Sequence, residues 1–96
     1  MPGFEIHFGQ GFRGEHVRLR SGARILFEGP LRTRPQVGAA HVERIDLPAG
    51  EKIVVEIPAS GAEAGITLDP GFPYVLVEAT PHGLSARTTA QQPRYL

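Results

Sequence analysis

The sequence predicts an all-β domain, a single antiparallel β-sandwich of seven or eight strands. Apolar and polar residues alternate in short runs, as in residues 4–8 and 52–57, and a period of two is typical of strands with one buried face. Glycine and proline clusters separate the runs about every ten residues. The 96-residue chain is long enough for one core without disulfide bonds. We therefore expect one sandwich domain over residues 1–89 and a tail without periodicity over residues 90–96.

The first part of the chain is predicted to form one strand and a hairpin. Residues 4–8 alternate cleanly and precede a glycine-rich connection over residues 9–14. A hairpin of residues 15–20 and 23–28 follows, and we expect a three-residue loop in which Gly22 supplies a positive φ. An odd loop length places four apolar side chains on one buried face: Val17, Leu19, Ile25 and Phe27.

The middle of the chain is predicted to contain a long loop and two strands. Residues 30–40 hold two prolines and are typical of a loop or an edge segment. In the strand predicted over residues 41–47, Val42 is out of phase, and a bulge near residues 43–44 would restore the alternation. The run over residues 52–57 is the most regular, with every second side chain directed to the core.

The last third of the chain is predicted to add three strands. Residues 58–65 are small and interrupted by glycine, which favours a loop. A short strand over residues 66–69 leads into an Asp-Pro-Gly turn. Residues 73–79 are apolar on both faces, which is typical of a central strand covered on both sides. Residues 84–88 then complete a sheet.

The strand count and spacing resemble those of immunoglobulin-like and transthyretin-like sandwiches. The chain contains neither cysteine nor tryptophan, so it lacks the Cys-Trp-Cys pattern of true immunoglobulin domains. The resemblance therefore concerns architecture alone and implies no function. The predicted core consists of ten alternating residues: Val17, Leu19, Ile25, Phe27, Ile53, Val55, Ile57, Leu68, Val75 and Val77.

Composition excludes several classes of function. The formal net charge is zero, so the overall charge favours neither nucleic acid nor a membrane as a partner. Lys52 is the only lysine among ten basic residues, and this arginine excess is typical of GC-rich codon usage. The absence of cysteine rules out disulfides, thiolate metal sites and a cysteine nucleophile. It also favours a reducing compartment, so we expect a cytoplasmic protein.

Catalytic and cofactor motifs are weak. Residues 9–14 match G-x-G-x-x-G, but the next six residues alternate like a strand, whereas a dinucleotide site needs a helix there. No serine lies in a G-x-S-x-G elbow. The four histidines lack close metal-ligand spacing, and we expect solvated surface side chains, although His7 and His16 could meet across neighbouring strands. We therefore expect no cofactor, no metal and no enzymatic activity.

The hairpin carries a charge pattern that could form a binding face. His16, Arg18 and Arg20 alternate on one strand, and the odd loop length would place Arg24 beside them. Like charges across a strand pair are destabilising, so an acidic group should compensate. Internal glutamates such as Glu28 would leave a solvated surface, and an acidic partner or an anionic ligand would make this face a binding site.

Association is the function that we expect from the sequence. Edge strands of a sandwich must be covered or protected, and Arg94 and Tyr95 in the tail are residue types that often anchor interfaces. We predict a non-catalytic domain that acts through protein contacts, as a homo-oligomer or an accessory subunit. The alternatives are a binding module for a small anionic ligand or a carbohydrate, and a small enzyme whose active site has no sequence signature.

Overall fold

The computed structural model describes residues 3–34 and 39–93. Eight β-strands account for most of these residues: β1 Gly3–Phe8, β2 Arg13–Ser21, β3 Arg24–Arg32, β4 His41–Asp46, β5 Lys52–Ile57, β6 Ala62–Thr67, β7 Tyr74–Thr80 and β8 Gly83–Thr89. Within the described ranges there is no helix, and hence none that is long and apolar enough to cross a membrane.

The strands form two four-stranded sheets that pack face to face. Sheet A has the order β4-β1-β7-β8, and sheet B has the order β3-β2-β5-β6. This arrangement confirms the predicted β-sandwich, and the likeness to immunoglobulin or transthyretin architecture stays a prediction. One strand pair differs from the purely antiparallel arrangement, because β1 pairs with β7 in parallel. All four strands of sheet B lie between β1 and β7 in the sequence, so the connection between β1 and β7 is long enough for a parallel pair.

The core lies between the two sheets, and the alternation predicted most of it. Eight of the ten predicted residues are buried: Val17, Leu19, Ile53, Val55, Ile57, Leu68, Val75 and Val77. Phe27 is half-buried against this core. Ile25 was predicted wrongly, because its side chain is 50% exposed.

A β-bulge in β3 explains the exposure of Ile25. Leu19 pairs with Phe27, but the next residue, Arg20, pairs with Ile25, so Leu26 is an extra residue on this strand. The loop contains two residues rather than the predicted three, since Ser21 pairs directly with Arg24. The predicted positive φ of Gly22 is confirmed at 58°. Between the bulge and the turn, Arg24 and Ile25 have therefore exchanged faces relative to the prediction.

Two further predictions about strands were wrong. β4 pairs with β1 without any register shift, so no bulge lies near residues 43–44. Val42 is instead directed to the outer face, opposite His7. Residues 62–65, predicted as loop, belong to β6, because a regular hairpin with β5 provides backbone pairing for their small side chains. In the segment predicted over residues 30–40 as a loop or an edge segment, residues 30–32 belong to the edge strand β3, and residues 35–38 lie outside the described residues.

The connection between β1 and β2 packs directly on β7. Ala79 donates its backbone N–H to the carbonyl of Gln10 at 2.9 Å. Gly11 has φ at 91°, and a Cβ atom there would lie 1.9 Å from the carbonyl oxygen of Ala79. The central glycine of the G-x-G-x-x-G match is therefore required for packing, and β2 rather than a helix follows the motif.

Candidate interaction surfaces

The outer face of sheet B carries the predicted basic residues of β2, together with two glutamates. Arg18 donates from Nε to Glu28 at 3.0 Å and from Nη1 to Glu56 at 3.2 Å. Arg20 donates from Nε to the same Glu56 oxygen at 3.1 Å. His16 Nε2 lies 3.0 Å from Glu28 Oε2. The structure thus brings together three of the predicted site residues in one ion network.

The network compensates its own charge. The hydrogen bond with His16 and the one from Arg18 lower the pKa of the Glu28 carboxyl below its ordinary value. The hydrogen bond to Glu28 in turn raises the pKa of Arg18. Sequence parity places Glu56 on an outer face, but its position between two arginines depends on β5 lying beside β2. This face therefore does not need an acidic partner to balance its arginines.

The other predicted site residues do not join this network. Arg24 pairs with Ser21 rather than Arg20, so it lies on the opposite face from Arg18 and Arg20. The predicted position of Arg24 beside Arg18 and Arg20 was wrong because of the bulge at Leu26, and its binding role stays a prediction. Arg94 and Tyr95 lie outside the described residues. Their predicted binding role stays a prediction.

The outer face of sheet A has an apolar centre. His7 pairs with Leu76 on the two central strands, and their side chains are only 3% and 7% exposed. Val42 on the neighbouring strand β4 pairs with His7 and is 41% exposed. His7 Nε2 lies 3.0 Å from Glu5 Oε1, and the Tyr74 ring contacts the imidazole edge-on with centroids 6.1 Å apart. Neighbouring side chains of the same sheet thus bury this centre.

Two predictions about histidine are corrected by this arrangement. His7 is buried rather than solvated. His7 and His16 belong to different sheets, so they do not meet across neighbouring strands. Among residues 3–34 and 39–93, no group of three or more His, Asp or Glu side chains is arranged to hold a metal ion.

The two lateral sides of the sandwich differ in how they are protected. On one side, β3 and β4 are edge strands joined by the chain, and the His41 ring from β4 stacks on Phe27 from β3 with centroids 4.5 Å apart. β3 also contains Pro30 and the bulge at Leu26, which discourage pairing with another strand. β4 carries alternating charges along its length. The edges on this side are therefore protected against pairing with another strand, and we call it the closed side.

The opposite lateral side is formed by the edge strands β6 and β8, which lie closer to each other than β3 and β4 do but are not paired in one sheet. We call it the open side because neither edge is protected by a bulge or a proline. No connection joins these two strands, and both pair with their inner neighbours without a register shift. Neither strand contains proline, and each has a single charged residue, Glu63 or Arg87. Four aliphatic side chains pack on the core here and remain half-buried: Ala62, Ile66, Leu84 and Ala86.

The chain was compared with known protein-family models, curated proteins and solved structures, and none of them matches it.

Proposed function

We propose that this protein is a non-catalytic interaction module that self-associates through its open side, the β6 and β8 edges. The observation that carries the proposal is the asymmetry of the lateral sides. A bulge, a proline, charges and an aromatic stack protect β3 and β4, whereas β6 and β8 have regular unprotected edges. Regular edges with few charged side chains favour pairing with another strand.

A second copy is the partner that best fits the open side. Two edge strands from different sheets lie next to each other there, so a partner should offer two strands with the same spacing. The open side of a second copy does so. A two-fold axis perpendicular to the sheets would pair β6 with β6 and β8 with β8, both antiparallel, and would extend each four-stranded sheet into the next molecule.

The interface would bury polar and apolar groups together. Backbone N–H and C=O groups at the free edges of β6 and β8 would find partners. The half-buried Ile66 and Leu84 would become fully buried against the same residues of the second copy. We propose a cytoplasmic location for this dimer, since the chain has no cysteine.

Solution mass and backbone protection test the proposal. Light scattering between about 10 µM and 1 mM should show the mass rising from 10.4 kDa towards twice that value. Amide hydrogen exchange should show protection that increases with concentration in β6 and β8 but not in β3 and β4. A mass that remains monomeric at 1 mM would rule out self-association.

Matched lysine variants locate the interface. Ala64→Lys places a charge on the inward side of β6, a device that natural edges use against pairing, and should keep the protein monomeric. Val42→Lys adds the same charge to β4 on the closed side and should leave the dimer intact. Ala86→Lys in β8 repeats the test if Ala64→Lys lowers the melting temperature of the monomer. Equal effects at Ala64 and Val42 would refute the proposed surface.

The C-terminal tail could form the dimer interface instead of the β6 and β8 edges, and truncation of the tail distinguishes the two. A chain ending at Gln92 lacks Arg94 and Tyr95 but keeps both edge strands. We expect this chain to dimerise as the full chain does. Loss of the dimer on truncation would assign the interface to the tail and overturn the proposal for the β6 and β8 edges.

A further inference from the structure

A cleft opens at one end of the sandwich, between three connections. The β1–β2 connection, the β5–β6 turn and the β7–β8 turn surround it, and its volume is about 920 Å³. Small-molecule sites typically measure about 300–1,000 Å³. Loops grouped at one end of a rigid sandwich are a common place for binding residues. This end cleft adjoins the open side and the ion network, because Ala62 and His16 belong to its lining.

The cleft combines an apolar floor with a polar rim. Ile57, Ala62 and Ala79 supply apolar side chains to its lining, and the backbone of Gly11 and Gly61 adds surface without a side chain. Both glycines have a positive φ, so larger residues would strain the backbone there. The small side chains leave room for the apolar part of a ligand.

The rim contains an arginine that lacks an acidic partner. Arg13 is exposed and lines the cleft, and no carboxylate among the described residues forms an ion pair with its guanidinium. Glu15, the only carboxylate in the lining, accepts the backbone N–H of Arg13 instead. The guanidinium of Arg13 is therefore available to a ligand.

A second arginine lies directly opposite the first. Arg13 and Arg32 are cross-strand partners, and Arg32 likewise forms no ion pair within the described ranges. The Arg32 guanidinium lies over Gly14, with Nη2 3.1 Å from the position that a Cβ would occupy. Arg32 does not belong to the described lining of the cleft, so Arg13 is the arginine that an anion in the cleft would contact.

The hydroxyl groups of Ser60 and Thr80, which line the cleft, form hydrogen bonds within their own turns. Ser60 Oγ accepts the N–H of Ala62 at 3.3 Å. Thr80 Oγ1 donates to the Gly83 carbonyl and accepts the N–H of His82, both at 3.2 Å. These groups hold the turns in place, which suits a binding site better than a site for nucleophilic chemistry.

We infer that the end cleft binds a small organic oxyanion, with its apolar body on the floor and its charged group at Arg13. A carboxylate and a phosphate ester share this chemistry, and both match the planar donor geometry of arginine. The inference does not rest on the proposed dimer, because its charged contact, Arg13, lies on β2, although Ala62 of β6 belongs to the floor.

Titration followed by amide NMR tests the inference with four probes: benzoate, phenyl phosphate, inorganic phosphate and benzyl alcohol. We expect benzoate or phenyl phosphate to shift the amide signals of Gly11, Gly61 and Gly83. Whichever of the two binds more tightly identifies the preferred head group. Equal binding of benzyl alcohol would refute the role of charge, and equal binding of inorganic phosphate would refute the role of the apolar floor.

Charge-removal variants complete the test. Arg13→Gln should weaken binding of the better probe at least about tenfold, a loss typical of a charge-assisted contact. Arg32→Gln should have a smaller effect, because Arg32 does not line the cleft. Arg24→Gln removes an exposed arginine at the other end of the same hairpin and should leave binding unchanged. Equal affinities of the Arg13 and Arg24 variants, or shifts scattered over both sheets, would overturn the inference.

Discussion

Replacing Gly11 with alanine should destabilise the protein more than the same change at any glycine in open space. Two costs combine at this position. The backbone has φ at 91°, and a left-handed conformation costs a residue with a Cβ about 1–2 kcal/mol. The new Cβ would also lie 1.9 Å from the Ala79 carbonyl oxygen and 2.8 Å from its carbonyl carbon. An ordinary C···O contact is about 3.3–3.6 Å, so backbone must move.

The movement is resisted by the sheet. Ala79 pairs with Leu84 in β8 and donates its N–H to Gln10 in the connection itself. Relief of the clash therefore separates the β1–β2 connection from β7. Forcing extra atoms into a packed site costs about 1–3 kcal/mol. Together with the backbone term, we expect Gly11→Ala to lower the free energy of unfolding by about 2–5 kcal/mol.

Gly22→Ala provides the matched control, because its φ is 58° and no atom lies within 4 Å of its new Cβ. It should cost only the backbone term of about 1–2 kcal/mol. Urea unfolding followed by circular dichroism measures both variants at concentrations where the wild type is monomeric. The melting temperature should differ between them by about 4–8 °C per kcal/mol. Equal destabilisation of the two variants would refute the packing argument.

Two further predictions concern acid and metal. The pKa of Glu28 is lowered by His16 and Arg18, so its stabilising contribution is complete above the pKa of the unfolded chain and is lost as the pH falls through the lower folded pKa. Glu28→Gln should therefore be less stable than wild type at pH 7, and it should lose less stability than wild type on acidification below about pH 5. Urea unfolding at several pH values measures both effects. Equal losses of stability on acidification in the variant and in wild type would contradict the prediction. Removing divalent ions with a chelator should leave the melting temperature unchanged, because a structural metal would contribute folding energy directly, and a drop of many degrees would reveal a metal site.

Alternation along the chain predicted the features that depend on local pattern. The inward faces of β2, β5 and β7 follow from a period of two, because each of these strands runs without an extra residue through its core positions. The first part of β6 was not predicted, since Ala62, Ala64 and Gly65 have little strand preference and the pairing with β5 determines their conformation.

The candidate surfaces depended on contacts between distant residues. One extra residue at Leu26 moved Ile25 out of the core and Arg24 out of the basic face. The position of Glu56 between Arg18 and Arg20 requires β5 to lie beside β2. The opposition of Arg13 and Arg32 likewise follows from hairpin register near a second irregularity at Gly14. Neither strand order nor bulge position is encoded in alternation, so these arrangements were not predictable from it.

The parallel pairing of β1 with β7 has a consequence for how the chain folds. Sheet B contains two hairpins between strands adjacent in sequence, β2–β3 and β5–β6, whose closure has a small entropic cost. Sheet A places β1 between β4 and β7, so its centre requires Glu5 to meet Tyr74 across most of the chain. Contacts of such long range slow folding, typically to milliseconds or seconds. The hairpins of sheet B should therefore form while β1 is still unpaired on its β7 side, and the joining of β1 to β7 should be the late step that closes the sandwich.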